Sequence, residues 1–487
     1  MKASNAICSP MPLLITPPAP VRPAVPELPT LPFERLTARL RSDGVSRPQS
    51  LADGDWPRTT RLLPWSLAVM MAIVWLVPFN VIQLSASLPI DLKFDRLYLP
   101  FVVVLWALMV AIGGPMAPRI RMTWIHGAIG TVVACAGLSL IFDARYLNQT
   151  LEFLTSTKKL TLLLSYGLLF VIVSSTVRKR EVPAFLKYTL ILAVLCALGT
   201  IWEYRFHYNV FYAWSDKLLP GMFTVGAAES SAVDEIGRRI VLGPGEISLE
   251  AAAMMSMALP IALVGIMQSA KWRGRLLYGL AASVLLAGAI STYRKTALIA
   301  PVAVILTLAY YRRRELVRLA PLALVVLVCI HVLSPGAFGS IVAQLHPHRL
   351  GDVSTVSDRT ADYDAVRPDV WTHLAFGRGY GSYEHQSYRV LDMELLRQLI
   401  EVGVVGLAAF ILMVLSIVWT ARAPIRARGP DSRVALAAAA TAISFLTVAT
   451  LFDVMSFPHC PYILLWMAGL LAVSVSTSSE EDDESVA

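Results

Sequence analysis

The stretch ELLRQLIEVGVVGLAAFILMVLSIVWT, residues 394–420, followed by ARAPIRARGPDSR (421–433), decides how this chain folds. From Val402 to Trp419 no residue carries a charge. A helix rises ~1.5 Å per residue, so roughly 20 apolar residues cross the ~30 Å hydrocarbon core of a bilayer. Such a helix satisfies its own backbone hydrogen bonds, which lipid cannot do for it. The switch to Arg422, Arg426, Arg428 and Arg433 marks a membrane boundary on the side where Lys and Arg collect.

The same reading repeats along the chain. It predicts spans near 62–82, 97–113, 123–142, 160–177, 183–203, 247–268, 275–292, 296–311, 316–334, 394–420, 432–452 and 458–476. Composition agrees: of 487 residues 56% are hydrophobic and only 16% charged, and the mean hydropathy is +0.61. A soluble domain carries about 25% charged residues, so a polar exterior for a chain this size is missing. The expected fold is all-α, a polytopic transmembrane bundle of about twelve spans.

The net charge of +8 does not describe a nucleic-acid groove, because the basic residues sit in short clusters between apolar blocks. They order the topology. Arg119/Arg121, Arg178–Arg180, Lys271/Arg273/Arg275, Arg312–Arg314 and Arg422–Arg433 occupy every second connection, almost without acids. Those connections and both termini are therefore expected in the cytoplasm, with the chain in the plasma membrane. Residues 1–61 read as a disordered, Pro-rich cytoplasmic segment, and 477–487 as an acidic cytoplasmic tail. Cys8, Cys135, Cys196, Cys329 and Cys460 are scattered, in no spacing that suggests a metal site or a disulfide framework.

Spans one to nine occupy 62–334, with an outer loop at 204–246; spans ten to twelve occupy 394–476. The long outer connection 335–393 is rich in Tyr, His, Arg and Gly rather than in tether residues, so a folded lid is expected there. Charge near the outer boundary singles out Glu246 and Glu250, Arg294 and Lys295 in STYRKTAL, and Arg397 with Glu401 one turn later. Together with the loop arginines they predict an electropositive pocket at headgroup depth, suited to a lipid-linked diphosphate. GRGYGS (377–382) lacks the strand and helix of a phosphate loop and reads as a tight turn. HPH (346–348) lacks the partners of a metal site.

FGRGYGSYEH followed by DMELLRQLIEVGVVGL resembles the signature of the O-antigen ligase and polymerase superfamily. Gly377, Gly379 and Gly381 stand for its glycine-rich turn, Asp392 for the polar residue after it, and Glu401, Gly403 and Gly406 for the motif in the next helix. Arg294 to Leu298 resembles the family's R-x-x-x-L, and Arg239 before GPGE (243–246) its arginine ahead of a Gly-Pro turn. The matches cover roughly 235–410. The chain departs from the ligases at Asp392, where they carry His.

The resemblance implies glycan transfer outside the cytoplasm, from an undecaprenyl-diphosphate carrier to an acceptor hydroxyl on a glycan or lipid-linked glycan, with no metal or other cofactor. Asp392 would be the base, and Arg239 and Arg294 the diphosphate ligands. Arg238, Arg359, Arg378, Arg397 and Glu401 would help bind substrate. The alternative from another class is a secondary transporter of a small anion, built on broken helices around a midplane site.

Overall fold

The structure, a computed structural model, describes residues 54–84, 93–113, 117–226, 240–317, 354–383, 388, 391 and 393–476, with side chains omitted over 354–362. Helices dominate. They are α1 (Leu62–Leu76), α2 (Phe94–Ile112), α3 (Trp124–Phe142), the short α4 (Ala144–Gln149), α5 (Phe153–Thr176), α6 (Val182–Phe206) and α7 (Val210–Leu218). After them come α8 (Ser248–Gln268), α9 (Trp272–Ser291), α10 (Thr296–Val317), α11 (Ser354–Thr372), α12 (Glu394–Ala427), α13 (Ser432–Ala449) and α14 (His459–Ser476). Two short strands, β1 (Ile82–Leu84) and β2 (Phe223–Val225), pair antiparallel with Ile82 opposite Val225.

Nine helices among the described residues are long and apolar enough to cross a membrane: α2, α3, α5, α6, α8, α9, α12, α13 and α14. The first expected span falls on α1, which is shorter, and the eighth on α10. Most of the ninth, 316–334, lies outside the described residues. Of the segment 1–61 expected to be disordered, residues 54–61 are described and packed: the Trp56 ring stacks on Phe185 at 4.3 Å, and its backbone N–H donates to Glu181 at 2.8 Å.

Small residues let the central helices approach closely. α8 is buried along nearly its whole length and packs on α9, α10 and α13. The run Ala437–Ala440 of α13 is fully buried, and Thr441 donates to the Met257 carbonyl of α8 at 2.9 Å. The periphery is apolar instead of polar. Phe101, Val104, Leu108 and Ile112 of α2 and Leu412 and Trp419 of α12 are exposed. Apolar patches of this extent are foreign to the surface of a soluble monomer and suit helices facing lipid.

The bundle has two unlike ends. One collects Arg178–Arg180, Arg312–Arg314 and Arg422–Arg433, with Arg312 donating to the Ile425 carbonyl and the Ser432 hydroxyl. The other gathers the starts of α2, α5, α8, α12 and α14, and there a cavity opens.

Candidate functional site

α12 does not run straight. At Gly403 the backbone takes φ +67°, ψ −171°, and the helix breaks into 394–402 and 404–427. A break inside an apolar helix exposes carbonyls and N–H groups that must find partners. The turn at 374–381 supplies them. Arg378 N donates to the Ile400 carbonyl at 2.9 Å and Gly379 N to that of Glu401 at 3.0 Å. In return Val404 N donates to Leu374 O at 2.9 Å, and Val405 N to Ala375 O at 3.3 Å.

Only glycine permits this approach. A Cβ on Gly403 would lie 2.3 Å from the Ala375 oxygen, and one on Gly377 2.3 Å from the Glu401 carbonyl carbon. The Glu401 carboxylate completes the joint, accepting from Gly381 N at 2.8 Å and Tyr383 N at 3.3 Å. The glycine-rich turn 377–381 and the break at Gly403 are thus one structural unit.

The first half of α12 turns a polar stripe, Glu394, Arg397, Gln398 and Glu401, to the cavity. The spacing i, i+3, i+4, i+7 places all four on one helical face. Arg397 donates from Nε to Glu401 at 2.9 Å and from Nη1 to Asp453 and Ser456 in the link between α13 and α14. Glu394 accepts from Gln398 at 2.7 Å and from Met455 N at 3.0 Å. Burial pushes the Asp453 carboxyl up, but the Arg397 guanidinium beside it outweighs burial and holds it below the ordinary carboxylate range. Asp453 thus fixes Arg397 through a buried ion pair.

The cavity holds about 390 Å³. Facing the stripe stand Lys93 and Arg96 at the start of α2, and Lys158 and Lys159 in the first turns of α5. Five cations and three carboxylates, with Glu246 the third, line it. Glu246 ends the GPGE turn, which the carboxylate of Glu203 on α6 grips through Leu242 N at 3.1 Å and Gly243 N at 2.7 Å. The Asn209 amide donates to Gly243 O at 2.8 Å, and the Tyr212 hydroxyl to Gly245 O at 2.9 Å.

The residues expected from sequence fall in different places. Arg397 and Glu401 line the cavity. Arg294 sits at the same end, in the turn between α9 and α10 beside Tyr293, whose backbone is left-handed at φ +58°, and is outside the lining. Arg378 is buried beneath the turn. It pairs with Glu152 at 3.2 Å and Asp369 at 3.3 Å, donates to the Tyr388 hydroxyl at 2.6 Å, and stacks over the Tyr388 ring. Asp392, Arg238 and Arg239 lie outside the described residues, and only the backbone of Arg359, on α11, is described. Sequence reading missed Lys93, Arg96, Lys158, Lys159 and Glu394. No protein-family model matches the chain, and no curated protein matches it.

Proposed function

We propose that the chain is a membrane glycosyltransferase of the O-antigen ligase or polymerase kind. It moves a glycan from an undecaprenyl-diphosphate carrier to an acceptor hydroxyl at the outer face of the plasma membrane. One observation carries the reading. A cation-lined cavity opens at one end of an apolar bundle, under a turn docked into the broken helix, opposite the end where cytoplasmic-type arginine clusters gather. A diphosphate is the anion that such a cavity suits, and the carrier's chain belongs in the surrounding bilayer. Lys93, Arg96, Lys158 and Lys159 meet the phosphate oxygens and stabilise the charge that grows on them as the sugar leaves. The leaving group comes attached to the donor, so the reading needs no nucleotide sugar.

In this reading the bundle has twelve spans, with both termini cytoplasmic and the loop 335–393 outside. The break at Gly403 is also what a transporter would use. In a transporter, however, the freed backbone groups face the solute, whereas here the turn 374–379 takes them up.

The test is binding and transfer of a synthetic polyprenyl-diphosphate-linked glycan by the purified full-length protein in nanodiscs. Losing a hydrogen bond to a charged group costs about 1.5–3 kcal/mol, so Lys158→Gln/Lys159→Gln is expected to weaken donor binding tenfold or more. Equal donor affinity in wild type and double variant would remove the cavity from the reading.

A further inference from the structure

We propose that Glu246 takes the proton from the acceptor hydroxyl. The assignment rests on the transfer reading above and gives its chemistry an atom. Glu246 is the one carboxylate of the cavity wall that is open to the cavity; Glu394 and Glu401 line it too, but both are buried. Glu401 is spent on the turn and on Arg397, and Glu394 on Gln398 and Met455 N. Glu246 has Asn80 donating to its Oε2, while Oε1 accepts no hydrogen bond among the described residues. Lys93 holds Asn80 in turn, Nζ to Oδ1 at 2.6 Å.

The backbone that carries the carboxylate is also fixed from behind. Glu250, one turn into α8, accepts from Glu246 N at 2.9 Å through Oε2. Its Oε1 lies 2.6 Å from Nδ1 of His459 at the start of α14, and both side chains are fully buried. His459 Nε2 reaches the Val77 carbonyl at 3.3 Å, and Phe79 covers the ring at 4.1 Å. Three elements that meet nowhere in sequence therefore clamp the backbone of one exposed acid. A base has to be held this way to meet its proton within hydrogen-bond reach.

The step balances. The acceptor O–H bond breaks and its proton passes to Glu246. The oxygen forms a bond to the anomeric carbon as the bond from that carbon to the diphosphate oxygen breaks. The electron pair leaves on the diphosphate beside Lys158 and Lys159, and Glu246 returns its proton to water. Burial among the walls and the nearby Glu250 raise the Glu246 carboxyl, with Lys93, Asn80 and His459 opposing. The charged groups across the cavity are Arg96 on α2, Lys158 and Lys159 on α5, and Glu394, Arg397 and Glu401 on α12.

The experiment reads donor binding and transfer separately, with full-length protein in nanodiscs and a synthetic polyprenyl-diphosphate-linked glycan. Positioned bases contribute ~10²–10⁴-fold, so Glu246→Gln is expected to lower turnover at least ~100-fold with donor affinity kept. Glu246→Asp, which keeps the charge, is expected to restore part of it. The wild-type rate is expected to rise with pH through a limb above the ordinary carboxylate range, and that limb to vanish in Glu246→Gln. Full turnover in Glu246→Gln would overturn the assignment and leave the transfer reading standing. A wild type that neither binds the donor nor transfers it would overturn both.

Discussion

At the scale of single residues, Gly403 has the largest consequence for the site. Its backbone is left-handed, and the space a side chain would fill is occupied by the Ala375 carbonyl. In a transmembrane helix read from hydropathy alone it is one glycine among valines. Its role emerges only with the partner turn, more than twenty residues earlier. Gly403→Ala is expected to destabilise the protein by at least ~1–3 kcal/mol through backbone strain alone, and by more if the turn is pushed away. Gly429, beyond the other end of α12, has nothing within 4 Å of an added Cβ, so Gly429→Ala should stay within about 0.5 kcal/mol. Thermal unfolding of both variants in the same detergent is the measurement. Equal melting temperatures would show that the joint at Gly403 yields without cost.

At the scale of elements, the places of the spans were legible and several of their ends were not, for one physical reason. Hydropathy places a boundary where charge begins, and backbone hydrogen bonding does not stop there. The expected span 123–142 is α3, Trp124–Phe142, and 458–476 is α14, His459–Ser476, because there apolar run and helix end together. The span expected at 160–177 begins at Phe153, so Lys158 and Lys159 ride on helix and reach the cavity. Likewise α2 begins at Phe94 and carries Arg96. Four of the five cations that line the site, Lys93, Arg96, Lys158 and Lys159, fall outside the expected spans.

Arg378 makes the converse point. As a loop arginine in a glycine-rich turn it looked like a phosphate ligand, yet it is buried and ties the turn to α5 and α11 through Glu152 and Asp369. Breaking a buried ion pair by removing one partner typically costs about 3–5 kcal/mol. Arg378→Met is therefore expected to lower the melting temperature and to raise hydrogen exchange at the 379–383 amides. If exchange there is unchanged while donor binding is lost, Arg378 contacts substrate directly.

At the scale of the whole molecule, function depends on which way the bundle sits. The arginine clusters and the cavity occupy opposite ends, so orientation and site stand or fall together. A cytoplasmic cavity would meet nucleotide-linked sugars, and an outer cavity would meet glycans already flipped on their lipid carrier. Basic connections resist translocation, so the proposed reading places the cavity outside. Gln149, exposed at the end of α4, marks the cavity end, and Gly429, exposed between α12 and α13, the basic end. In a background lacking the native cysteines, Gln149→Cys is expected to react with a membrane-impermeant thiol reagent in intact cells. Gly429→Cys is expected to react only after permeabilisation. Labelling of Gly429→Cys alone in intact cells would turn the bundle over, place the cavity in the cytoplasm and end the lipid-linked donor reading.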